Sequence, residues 1–182
     1  MPRLPNLTNR DDVPDELLDA FDAIAGNRQG SVSGPYGVLL HSPELAIRGA
    51  ALSNYLRWNS VLTPVQLETA VIMTARHLQA HVMWSAHVRL GRQAGVREEV
   101  IDSVKALDDM AALTDEEAEV VRFVRELLED HRVSDATFAA LHARLGDQGI
   151  VDLTGLVGYY QFVGSTLNVF EISPGEGAEP LP

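Results

Sequence analysis

Glu68 and His87, nineteen positions apart, are the residues of this chain best suited to moving a proton, and the stretch between them adds His77, His81 and Trp84. Three of the six histidines and one of the two tryptophans fall within the eleven positions from 77 to 87. Imidazole changes charge close to neutral pH, so this clustering points to general acid/base chemistry. Glu68 sits in the apolar run ETAVIM, where a carboxylate needs a partner more than it does on a solvated face. His77 and His81 have the i, i+4 spacing of a zinc pair, but there is no HExxH, and a turn is expected between them, so no metal is assigned.

Composition excludes other chemistries. The chain has no cysteine, which rules out thiol nucleophiles, disulfides and thiolate metal sites. Neither GxGxxG nor GxxxxGK(S/T) occurs, so no cofactor is expected. A net charge of −12, with the 14 Lys and Arg scattered, argues against nucleic acid as a partner. No apolar run approaches the roughly 18 residues of a membrane span, and the N-terminus lacks the apolar core of a secretory signal, so the expected location is cytoplasmic. At 182 residues the chain is read as a single domain.

The elements that must position these residues are all helical. Leu17, Leu18, Phe21 and Ile24 predict a helix over 14–24, followed by a polar, glycine-rich loop over 27–37. Together these form an N-terminal extension over 1–42. Ser42 and Pro43 open a helix that runs to Trp58, and Thr63, Pro64 and Gln66 open the next with a capping box. Gly95 closes the central region and a short helix reaches Leu107. Thr114 with Glu117 starts a helix to Asp130, and Ser134 starts one that ends near Gly146. The apolar segment 150–170 is a buried helix whose Gly155, Gly158 and Gly164 permit close packing. The tail 174–182 is expected to be mobile.

Geometry constrains the central pair. One uninterrupted helix would hold Glu68 and His87 about 28 Å apart. A turn at 78–80 instead makes a hairpin of helices 64–77 and 81–94, in which they can meet directly or across a subunit contact. On the second helix Met83, Trp84 and His87 share a face, with His81 one turn before Trp84. Tyr36, His41 and Arg48 are candidates to line a pocket over the hairpin. Tyr159 and Tyr160 read as core or interface, and the acidic runs at 108–109 and 115–117 as helix-start and surface charge.

Glu68, His87 and the intervening HVMWSAH resemble the carboxymuconolactone decarboxylase and AhpD-like family, whose fingerprint is a glutamate, a CxxC pair and a following histidine. The cysteine positions fall on Ala80 and Met83, which places the chain with the cysteine-free branch and removes thiol peroxidase chemistry. The resemblance extends through GRQAGVREEVI (91–101) and LVGYYQFVGSTLNVFE (156–171), although the chain is longer than compact decarboxylases. It implies an all-helical homotrimer or homohexamer with its site near a subunit contact. It also implies a cofactor-independent lyase acting on a small anionic or aromatic-derived substrate. His87, Glu68 and His81 would then form the catalytic set, with Trp84, Met83, His77, Tyr36, His41 and Arg48 around the substrate. Two alternatives stand beside it. One is a non-catalytic oligomer that binds a ligand or partner in the same pocket. The other, weaker, is a peroxidase-like oxidoreductase with no cysteine to act through.

Overall fold

The computed structural model describes residues 2–181; Met1 and Pro182, the ends of the expected extension and tail, lie outside it. Among the described residues the regular structure is entirely helical. The organising element is α4 (Pro64–His77). Thr63 Oγ1 accepts from the Gln66 N–H, and the Gln66 side chain returns the bond to the Thr63 N–H, which fixes where the helix starts. Every residue from Gln66 to Ala75 is buried. A helix enclosed on all sides needs neighbours all round. These are α5 (His81–Ala94), α6 (Glu98–Ala106), α7 (Asp115–Glu129) and α8 (Asp135–Val169).

The expected hairpin is present. α4 ends at His77, Gln79 takes a positive φ of 51°, and the Ala80 N–H returns to the Ala75 carbonyl at 3.0 Å. Asn168 of α8 donates to the Leu78 carbonyl at 2.8 Å, pinning the turn. Gly164 lies against the same turn, where a Cβ would stand 2.7 Å from Leu78 Cδ1 and 3.4 Å from Met83 Cε. Of the three glycines expected to permit close packing, only Gly164 does so. A Cβ on Gly155 would reach Leu56 at an ordinary 3.8 Å, and one on Gly158 would meet nothing.

The N-terminal region departs from the pattern. In place of one helix over 14–24, two single 3₁₀ turns (Arg10–Asp12 and Asp15–Leu17) precede α1 (Leu18–Asn27). The Leu17 N–H bonds the Pro14 carbonyl, which tightens this start, and Asn27 extends the helix by donating to the Ala23 carbonyl. The expected loop closes early with α2 (Tyr36–Leu39), because the run YGVLL is apolar enough to be buried. Tyr36, Ile24, Phe21, Leu40, Ala46 and Ala50 form a second apolar cluster, joined to the main core through Phe162.

α3 (Pro43–Trp58) begins at Ser42 as expected, but the Ser42 side chain makes no cap bond; its carbonyl accepts the first helical N–H, from Ala46. α8 is two helical segments, as expected, that meet at a kink at Gly146, whose φ of 64° and ψ of −175° are not helical and favour glycine. The segment 174–181 has no regular structure and lies along α5. There the Glu179 N–H donates to Ser85 Oγ, the Glu179 carboxylate pairs with Arg92 at 3.0 Å, and Leu181 is buried. No helix among the described residues is long and apolar enough to cross a membrane.

Candidate active site

The hairpin sets α4 and α5 antiparallel, so that Glu68 and His87 face each other within one chain. Glu68 Oε2 accepts from His87 Nδ1 at 2.7 Å. The other carboxylate oxygen accepts from Arg57 Nη2 at 2.9 Å, and Arg57 Nη1 donates to the Tyr160 hydroxyl at 2.6 Å. Tyr160 closes the loop by setting its ring edge-on to His87, with centroids 5.0 Å apart. Four helices thus meet at four side chains: α3 brings Arg57, α4 Glu68, α5 His87 and α8 Tyr160 to the junction where α5 and α8 flank α4.

His87 is 8% exposed and lines a cavity of about 370 Å³. Glu68 sits behind the imidazole, at the wall of a separate cavity bordered by Arg57, Trp58 and Leu67. With Nδ1–H donated to Glu68, His87 Nε2 carries the lone pair and is free for the cavity. One wall of that cavity is apolar, made of Val82, Met83, Ala86, Leu90, Val163 and Leu167. The polar part of the lining comprises Arg28, Ser53, Arg57 and the tyrosines 36, 159 and 160. The Tyr36 and Tyr159 hydroxyls bond to each other at 2.6 Å.

Protonation follows from this packing. Burial opposes ionisation of Glu68, but the hydrogen bonds and charges of His87 and Arg57 outweigh it and hold the carboxyl below its ordinary value. Burial lowers the affinity of His87 for a proton. The bond to Glu68 works the other way, and the positive charges of Arg57 and Arg28 reinforce the lowering. His87 therefore rests neutral and Glu68 ionised. Burial pushes the Tyr160 hydroxyl up to about 12, so it stays protonated; because its oxygen accepts from Arg57, its proton is left to donate elsewhere.

The remaining candidates divide. Met83 and Tyr36 line the cavity. Trp84 does not: it is fully buried in the main core, its indole N–H without a partner. His77 and His81 are exposed where the hairpin turns, so His81 does not join His87. The reason is position along the helix, since His81 is the first residue of α5, at the end where the hairpin turns, about 9 Å along the axis from His87. His41 is exposed and bonds the Pro5 carbonyl, and Arg48 is exposed and paired with Glu44 on its own helix; neither lines the cavity. No cluster able to hold a metal ion occurs among the described residues. Sequence reasoning missed Arg57, Arg28 and Ser53. It also assigned Tyr159 and Tyr160 to core or interface alone, although both line the cavity. Nothing in the spacing of Arg57 or Arg28 marks either as more than a surface arginine.

No protein-family model matches the chain, and no curated protein matches it in sequence. Solved structures do match it. A protein of unknown function from Agrobacterium tumefaciens, described as an AhpD-type antioxidant defence protein, superposes with a TM-score of 0.68 at 18% identity, covering 79% of this chain and 99% of its own. The debrominase Bmp8, in a cysteine-to-alanine variant bound to 2,3,4-tribromopyrrole, gives a TM-score of 0.70 at 13% identity, covering 97% and 95%. The chain therefore has the AhpD-like fold, in a form without cysteine.

Proposed function

We propose that this protein is a cofactor-independent lyase of the 4-carboxymuconolactone decarboxylase type, in which His87 transfers the proton and Glu68 positions it. The observation that carries the reading is the bond that Glu68 accepts from His87 Nδ1, which leaves Nε2 for a half-apolar cavity that His87 lines. In the reaction the C–C bond to a carboxylate breaks, CO₂ leaves, and the bonding electron pair stays on carbon as an enolate. That carbon takes a proton from the His87 imidazolium, so the net change is RCO₂⁻ + H⁺ → RH + CO₂. His87 rests neutral and must first be loaded from solvent. An anionic substrate beside it and Glu68 behind it both favour the charged ring. The apolar wall formed by Met83, Ala86 and Leu90 favours loss of the carboxylate charge. A homotrimer or homohexamer completes the proposal.

The test is CO₂ release and the change in lactone absorbance with 4-carboxymuconolactone, for the parent and for His87→Ala of unchanged oligomer size. Turnover in the parent that is lost in the variant supports the reading. No turnover in the parent discards this substrate and leaves the cavity as a binding site. Because one structural neighbour is described as a debrominase bound to a halogenated pyrrole, brominated pyrroles belong in the same assay as a second substrate class.

A further inference from the structure

Two arginines of the cavity have no part in the group built around Glu68. Arg28, just past the end of α1, lies with its guanidinium 4.2 Å from the centre of the Tyr36 ring and donates from Nη1 to Ser53 Oγ at 3.3 Å. Its Nε is buried and bonds to nothing. Arg89, two residues after His87, is exposed at the cavity wall and also borders a neighbouring space of about 500 Å³ beneath the C-terminal tail. Among the described residues no carboxylate lies within 4.0 Å of either arginine. Arg76, Arg122, Arg125 and Arg132 are likewise without one, but only Arg28 and Arg89 of these six line the cavity.

The lining of the cavity sharpens the point. No aspartate or glutamate lines it, and the nearest carboxylate in the hydrogen-bonded group, Glu68, is already engaged on both oxygens by Arg57 and His87. A half-buried guanidinium with an unsatisfied N–H is costly unless something supplies an acceptor. A guanidinium already oriented by an aromatic face and a hydroxyl is preorganised for a planar oxyanion.

We propose that Arg28, with Arg89 at the cavity mouth, forms the subsite for the charged group of a small organic carboxylate whose reacting carbon lies at His87. What happens at His87 rests on the lyase reading; the anion subsite does not. Under that reading the carboxylate at Arg28 is a spectator. A tight ion pair stabilises a carboxylate in the ground state and raises the barrier to its departure, so the bond that breaks must lie at the other end of the substrate.

The probe is benzoate with its neutral isostere benzamide, and succinate as a second carboxylate, titrated calorimetrically into the full chain. Benzoate binds and benzamide binds at least about tenfold more weakly, the contribution expected of a charged hydrogen bond. Arg28→Gln removes that difference by weakening benzoate alone, and retained benzamide binding shows that the variant is folded. Arg28→Lys keeps part of the preference, as a point charge without the guanidinium fork would. Arg89→Gln loses less affinity but flattens its dependence on salt. His87→Asn retains Arg28-dependent benzoate binding while losing any turnover. Arg28-dependent binding in a parent that turns nothing over would sink the lyase reading and leave the anion subsite standing. The subsite is overturned by equal binding of benzoate and benzamide, by full benzoate affinity in Arg28→Gln, or by no binding of either carboxylate at millimolar concentration.

Discussion

Glu68 accepts from two donors, and the protonation of one of them sets the pH behaviour of the site. The folded protein holds His87 below its ordinary value near 6.5, so between the folded and the unfolded pKa the unfolded chain binds more protons. Stability therefore falls as pH drops below about 6.5, and His87→Gln flattens the slope in urea denaturation across that window. Glu68, held low, adds stability that is present above its unfolded pKa and is lost at more acid pH, as pH falls through the folded value. Catalysis has the opposite sign. If the imidazolium donates the proton, kcat/KM declines as pH rises through the depressed pKa of His87. The decline in kcat comes at higher pH, because bound anion favours the charged ring. A kcat/KM that rises over the same range assigns His87 the role of a base and excludes decarboxylation. Glu68→Ala leaves Arg57 charged and without its carboxylate at a site where the Glu68 side chain is only 6% exposed, so a loss of about 3 kcal/mol is expected in the same denaturation experiment. Glu68 and His87 were legible in the sequence because a carboxylate in an apolar run and a clustered imidazole are unusual where they stand. Arg57 and Arg28 were not, because their roles arise from α3 and the end of α1 folding over the hairpin, a contact no local pattern encodes.

At the scale of elements, the central hairpin was legible and the N-terminal region only in outline, and the difference is physical. α4, α7 and the hairpin turn carry their own start and stop signals, two of them complete capping boxes, and they hold wherever the helices pack. Around Pro14 and Ser42 the tertiary contacts decide, giving 3₁₀ turns where periodicity alone predicted a helix and leaving the Ser42 side chain uncapped. Gly164 is where element packing reaches the site, since it lets α8 approach the hairpin turn and touches both Leu78 and Met83. Gly164→Val introduces branches where even a Cβ would stand 2.7 Å from Leu78, and Met83 can yield only toward the cavity it lines. The expected result is a loss of about 2 kcal/mol, read as a fall in Tm of roughly 4–8 °C. KM for a cavity-filling substrate should rise while the pH profile set by His87 and Glu68 stays in place.

The whole molecule leaves apolar surface uncovered, and its position bears on assembly. Leu45, Leu52, Tyr55 and Trp58 of α3, with Val61 beyond it, are all at least 40% exposed, and Val151 of α8 is 68% exposed. These are one neighbourhood, because Asp152 accepts from the Tyr55 hydroxyl with one oxygen and from the Val61 N–H with the other. Trp58 also follows Arg57 directly and borders the second cavity, against which Glu68 lies. A surface of this kind on a monomer calls for a partner. Under the proposed homo-oligomer that partner is a second copy, which would seal the solvent side of the Arg57–Glu68 pair and deepen the burial that holds His87 neutral. Light scattering on the eluting protein should then give three or six times 19.9 kDa. Leu52→Glu combined with Trp58→Glu should move the mass toward the monomer with helical circular dichroism unchanged. In the dissociated variant water reaches Arg57 and Glu68, so the acid slope of stability attributed to His87 should shrink together with the mass. A parent that elutes as a monomer, or a variant that keeps its mass, would separate this face from assembly.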